Sequence, residues 1–101
     1  MASRLNLQYK LEELNGNKNV YFQPPSNLQM NYPAIKYEID GIDTNFANDG
    51  SYINNIRYKV TIISRDPEPE VINKLLKLPM CTFDRPYKAD NLNHYVFTLY
   101  W

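Results

Sequence analysis

From Tyr32 to Asp66 the chain alternates between apolar and polar side chains, with one polar interruption. Ile35, Tyr37 and Ile39 fall at one parity, and Lys36, Glu38 and Asp40 at the other. Further on, Ile56, Tyr58, Val60 and Ile62 alternate with Arg57, Lys59 and Thr61. A period of two, carried by β-branched and aromatic residues, predicts strands that bury one face only. The pattern therefore predicts a long antiparallel hairpin whose apolar side supplies half of the core. Gly41 interrupts it and puts Ile42 at the polar parity, which predicts a bulge or bend. The connection from Asp43 to Ser51 is too long and too polar for a two-residue turn, so it is expected to project as an arm.

The remaining elements must cover the apolar side of that hairpin. Ser3 as N-cap, Leu7, Leu11 and Leu14 at helical spacing, and an Asn15-Gly16 stop predict a helix over 3–14. Val20-Tyr21-Phe22 reads as a short strand ended by Pro24-Pro25, followed by a loop from Gln23 to Asn31. Tyr32-Pro33 biases the chain to an extended form before the hairpin. Asp66-Pro67-Glu68-Pro69-Glu70 opens a second helix, reaching Leu78, with acids that suit its positive end. Its apolar side is Val71, Ile72, Leu75, Leu76 and Leu78, and Pro79 ends it.

Met80 to Tyr87 then predicts a strand with Cys81, Phe83 and Tyr87 on one side, and Asp90-Asn91 a turn. The last segment places Tyr95, Phe97, Leu99 and Trp101 on one face and His94, Val96, Thr98 and Tyr100 on the other. A strand apolar on both faces is either central and covered twice, or left to a partner. The order predicts one α+β domain over 1–101, with a mostly antiparallel sheet, a long hairpin and two helices.

With 101 residues, the chain is expected to bury roughly 60–70% of its unfolded surface, so partner subunits could add burial that it lacks. Eleven basic and eleven acidic residues cancel, and they are interspersed, which speaks against a nucleic-acid-binding module. A single cysteine fits a reducing compartment. No signal-peptide or transmembrane run is visible in the sequence, so a protein made in the cytoplasm is expected. Nine tyrosines provide contact area with a polar tip, suited to interfaces as well as to cores.

The catalytic inventory is thin. Cys81 and His94 could neighbour each other, but nucleophilic catalysis needs a third, orienting group, and packing roles are the better account. No zinc spacing or phosphate-cradling glycine loop is present. The loop Asp43–Gly50 invites a calcium reading, yet Ala47 occupies a ligand position and Asn54 stands where the bidentate acid belongs, and a solvated loop is favoured. Glu68 and Glu70 are better explained by the helix dipole than as an acid/base couple. The tyrosines beside Arg57 and Lys59 fit a half-buried sheet face better than base stacking. No enzyme, cofactor or metal is expected.

Three stretches resemble a known class: VYFQPP, then YPAIKYEIDGIDTNFANDGSYINNIRYKVTIISRDPEPEVINKLLKLP, then CTFDRPYKADNLNHYVFTLYW. They are similar to the tail terminator and tail completion proteins of long-tailed bacteriophages. The features that match are Tyr32-Pro33 before the strand, the arm at Asn48-Asp49-Gly50, Tyr58-Lys59-Val60-Thr61-Ile62, the helix from Pro69 to Leu78 and the aromatic last strand. The resemblance implies an α+β subunit of a homomeric, six-membered ring in the virion. Such a ring caps the tail tube, docks the head connector proteins and lets DNA pass without reading its sequence. A neighbouring neck or head-completion protein shares these features. A small intracellular protein-binding module is the rival reading, from the two-faced last strand. Under the ring reading, contacts are expected from Asn48 and Asp49 of the arm and Tyr52 just past it, from the charges of Lys36, Glu38, Arg57 and Lys59, and from Tyr100 and Trp101.

Overall fold

The computed structural model describes residues 4–46 and 52–101, with 43–46 and 52–55 described as backbone. The elements are α1 (Arg4–Asn15), β1 (Val20–Phe22), β2 (Ala34–Phe46), β3 (Tyr52–Ser64), α2 (Val71–Leu76), β4 (Cys81–Ala89) and β5 (Leu92–Tyr100). The strands form one sheet in the order β1-β2-β3-β5-β4. β1 runs parallel to β2, and the other neighbours are antiparallel. This is the α+β architecture that the sequence predicts.

Register partners across a sheet share a face, and the rungs here sort cleanly. On one face lie Val20–Ile35–Ile62–Tyr95, then Phe22–Tyr37–Val60–Phe97–Phe83, then Ile39–Tyr58–Leu99–Cys81. Leu7 and Leu11 of α1 and Val71 and Leu75 of α2 close over these rungs to make one buried cluster. The opposite face carries Ala34–Ile63–His94–Tyr87 and, further along, Glu38–Lys59–Thr98–Thr82. Pro24, Pro25, Leu28, Met30 and Tyr32 of the crossover between β1 and β2 lie beside Ile63 and His94, screening that end of the second face. The Tyr32–Pro33 peptide is cis.

The bulge expected at Gly41 is present. The ladder steps from Ile39–Tyr58 to Gly41–Arg57, leaving Asp40 as the extra residue, and so returns Ile42 to the apolar parity opposite Ile56. The bounds of the expected connection are corrected here. Asp43–Phe46 continues β2, and Tyr52–Asn55 belongs to β3, pairing from Asp43–Asn55 to Phe46–Tyr52. β5 follows β3 only as far as Arg57, and β1 follows β2 only from Ile35 to Tyr37. The hairpin therefore leaves the sheet as a two-stranded ribbon, and only residues 47–51 of the expected arm lie outside the described residues. Ser3, the expected cap of α1, lies outside them too.

In β4 the register shifts between Phe83 and Arg85, and Asp84 is the extra residue. Tyr87 thereby moves to the face opposite Cys81 and Phe83, which overturns their expected common side. It stacks on His94 with ring centroids 4.5 Å apart. α2 is also shorter than predicted. Its last amides bond three residues back, Lys77 to Lys74 and Leu78 to Leu75, which tightens the turn. Pro79 disfavours helical geometry at Leu78, so the helix does not resume after that turn. Leu76, expected on the apolar side, is exposed.

Polar contacts fix α1 to the sheet. The Tyr37 hydroxyl donates to Gln8 Oε1 and accepts from Arg4 Nη1 at 3.1 Å, while Gln8 Nε2 donates to the Val20 carbonyl at 3.0 Å. Burial raises the Tyr37 pKa, with the Arg4 hydrogen bond pulling the other way. Tyr37→Phe leaves Gln8 and Arg4 each short of a partner and should cost about 1–2 kcal/mol. Exposed Tyr9→Phe should stay within about 0.5 kcal/mol of wild type. Urea midpoints that coincide for the two variants would remove this network from the account of stability.

Candidate interaction site

Three surfaces of the sheet are open to a partner. The first is the face away from the helices, beyond the crossover. Lys36, Glu38, Lys59, Arg57 and Tyr100 all stand on it, as their register shows. Glu38 and Lys59 are direct cross-strand partners. Arg57 Nε lies 3.2 Å from Asp40 Oδ2 at the bulge. Its guanidinium is held protonated more firmly than usual, first by the Tyr100 hydroxyl and then by the Asp40 carboxylate. A Cβ at position 41 would land against that guanidinium, so Gly41 leaves it room to cross the bulge. Five of the expected contact residues thus form one mixed-charge surface. A face of interspersed opposite charges favours orientation and choice of partner over raw affinity.

Trp101 is on the other side. It packs against the core cluster, and its backbone N–H donates to the Ile56 carbonyl at 3.2 Å. Tyr100 and Trp101 are both half-buried. β5 itself lies between β3 and β4, with Val96, Phe97 and Leu99 buried. The surplus apolar surface expected on it is found elsewhere, at Ile39, Ile42, Leu76, Met80 and Phe83.

The second surface is the free edge of β4. Apart from its two end residues, this strand is exposed along its length. The hairpin to β5 closes on Ala89–Leu92 through Asp90 and Asn91, both at positive φ, as a two-residue turn requires. Counting from that closing pair puts Pro86, opposite Tyr95, at a position whose missing N–H would face solvent. The Asp84 bulge, Pro86 and the charges of Arg85 and Lys88 all discourage a further strand from pairing here. Pro86 was the signal, available in the sequence, that β4 is an edge.

The third surface is the ribbon. Of its expected contact residues, Asn48 and Asp49 lie outside the described residues, and Tyr52 stands at the outermost described rung opposite Phe46. No protein-family model matches the chain, and no curated protein does.

The geometry separates the residues that could have formed a nucleophilic couple. Cys81 sits opposite Leu99 on the helix-covered face, and His94 is five residues away along β5 on the other face. That is roughly 17 Å of strand, with the sheet between them. His94 Nδ1 is 3.1 Å from the Leu92 carbonyl oxygen. Burial raises the Cys81 thiol pKa, the opposite of an activated nucleophile. Cys81 should therefore react with iodoacetamide at pH 8 at least about threefold more slowly than a free cysteine peptide. A faster rate would reopen a chemical role.

A cleft of about 410 Å³ between the end of α1 and the start of α2 gathers Tyr32, Arg65, Asp66, Glu70 and Lys74, without cysteine or histidine. Among the described residues, no group of three or more His, Cys, Asp or Glu is placed to hold a metal, and no helix is long and apolar enough to cross a membrane. Asp43 and Thr44, read above as part of a solvated loop, are ladder residues opposite Asn55 and Asn54.

Proposed function

We propose that this chain is a structural subunit of a long-tailed phage virion, of the tail terminator or tail completion kind. It acts as a homomeric ring, most simply of six copies, that caps the tail tube and offers a docking surface to the head connector. The observation that carries the reading is the ribbon. Beyond Arg57 the paired strands β2 and β3 have, among the described residues, no third strand beside them, and a two-stranded hairpin is at best marginally stable alone in water. An extension of this length contributes little to its own domain and gains support from a neighbour. The mixed-charge face supports the same reading, because ring subunits and tube need matched orientation more than deep burial. The resemblance of the sequence to tail terminators supplies the setting. On this reading the protein carries out no catalysis, needs no cofactor, and lets DNA pass through the ring without contacting its bases.

The test is made in the particle. Mass spectrometry of purified virions should detect the chain in a small number of copies, and antibody labelling should mark the junction of tail and head. Particles lacking the protein should show unjoined heads and tails, with tubes of uncontrolled length. Complete, infectious particles formed without the chain would overturn the proposal.

A further inference from the structure

His94 holds one ring nitrogen ready for a ligand. The residue is 8% exposed, and its ring stacks on Tyr87 with planes 17° from parallel. A carbonyl oxygen only accepts, so Nδ1, 3.1 Å from the Leu92 oxygen, carries the proton. In the neutral ring Nε2 then offers a lone pair. Among the described residues Nε2 has no partner, whereas every fully buried side-chain nitrogen or oxygen has one. Nε2 therefore reaches solvent, and the opening that His94 lines is a cleft of about 370 Å³ beneath the crossover. The stack and the carbonyl bond hold the ring, so the acceptor is set before a ligand arrives.

The lining gives the chemistry of that ligand. Pro24, Leu28, Met30 and Tyr32 of the crossover supply apolar wall on one side, and Ile63, the rung partner of His94, supplies it on the other. The ionised groups are Lys36, Glu38 and Asp90, and none of them is in an ion pair among the described residues. Lys36 and Glu38 lie two residues apart on one face of β2 and offset each other. Asp90 is left as the uncompensated charge. An anion would meet a net negative lining, and a neutral apolar group would leave Nε2 unpaired. A positive donor on an unbranched stem satisfies the carboxylate, the lone pair and the apolar wall together. We infer that this cleft binds the terminal ammonium or guanidinium of an unbranched alkyl cation. Nε2 of His94 accepts from it, and Asp90 balances its charge. A lysine or arginine of a partner chain and a free diamine share that chemistry.

His94 is the single histidine of the chain, so its ring signals are identified without ambiguity. At pH 8 the nitrogen spectrum of the ring should show Nδ1 protonated and Nε2 bare. Nα-acetyl-lysine methylamide should move the Nε2 signal to saturation, and the uncharged Nα-acetyl-norleucine methylamide should not. Asp90→Asn should weaken binding at least about threefold, while Asp84→Asn, on the exposed β4 edge, should leave it unchanged. Asparagine tolerates the positive φ of position 90, so the turn is kept. Cadaverine identifies the source: binding tighter than the lysine probe assigns the cleft to free amines, and binding no tighter assigns it to a partner's side chain. A bare Nδ1 with a protonated Nε2, no saturable shift with either cation, or an equal shift with the norleucine probe would overturn the site. So would undiminished binding by Asp90→Asn, or an equal loss in Asp84→Asn.

Discussion

Replacing Phe97 with alanine should cost about 3–5 kcal/mol, more than any other truncation proposed for this chain. Phe97 is fully buried in the middle rung of the helix-covered face, flanked by Val60 on β3 and Phe83 on β4. Its ring meets Phe83 edge-on at 5.3 Å between centroids. The cavity would open where α1, α2 and three strands converge, and little can collapse into it. A domain of this size holds about 5–15 kcal/mol in all, so the variant would keep at best a fraction of its stability. At a slope of roughly 1.5 kcal/mol per molar urea, the midpoint should fall by about 2–3 M. A fall below about 1 M would mean that the core is looser than the packing of these rings implies.

The contrast between Phe97 and the ribbon also explains which parts of the fold were legible in the sequence. Alternation reports burial of one face. It was therefore readable from Ile35 to Asp40 and from Ile56 to Ile62, where helices cover one side and polar residues meet water or the crossover. It fades from Asp43 to Asn55, where polar residues fall at both parities. Strand and loop then look alike in composition, although the backbone ladder continues. Gly41 announced its bulge; Asp84 did not, since that bulge uses an ordinary aspartate, and the missed residue sent Tyr87 to the wrong face.

The candidate interaction residues divide along the same line. Lys36, Glu38, Arg57 and Lys59 were placed on one face by parity alone, and the register brings them together with Tyr100. The place of Trp101 beside Ile56 was not foreseen, because only the sheet order brings them together. The two-faced strand β5 was legible as central or partner-bound, and its place between β3 and β4 accounts for both apolar faces.

Excising the ribbon should separate folding from assembly. Ile56 turns its carbonyl to Trp101, so the next rung, Asp43–Asn55, is the one hydrogen-bonded across the hairpin, and replacing 44–54 with Asn-Gly closes it there with a two-residue turn. Asn-Gly supplies the positive φ that both turn positions need, as Asp90 and Asn91 do between β4 and β5. The pairing of β3 with β5 stops at Arg57. Shortening the loop also lowers slightly the entropic cost of closing it. The excised chain should melt within about 3 °C of wild type, a shift worth well under 1 kcal/mol for a domain of this size. Near-ultraviolet circular dichroism should retain the Trp101 signal, since Trp101 remains bonded to Ile56. Assembly should fail nonetheless. The protein should sediment as a monomer at concentrations where wild type associates, and particles made with it should show heads and tails unjoined. If the excised chain melts normally and still yields complete particles, the ribbon carries no subunit contact. The mixed-charge face of Lys36, Glu38, Arg57 and Lys59 would then have to hold the ring by itself, and double charge reversal of Glu38 and Lys59 would be the next discriminating measurement.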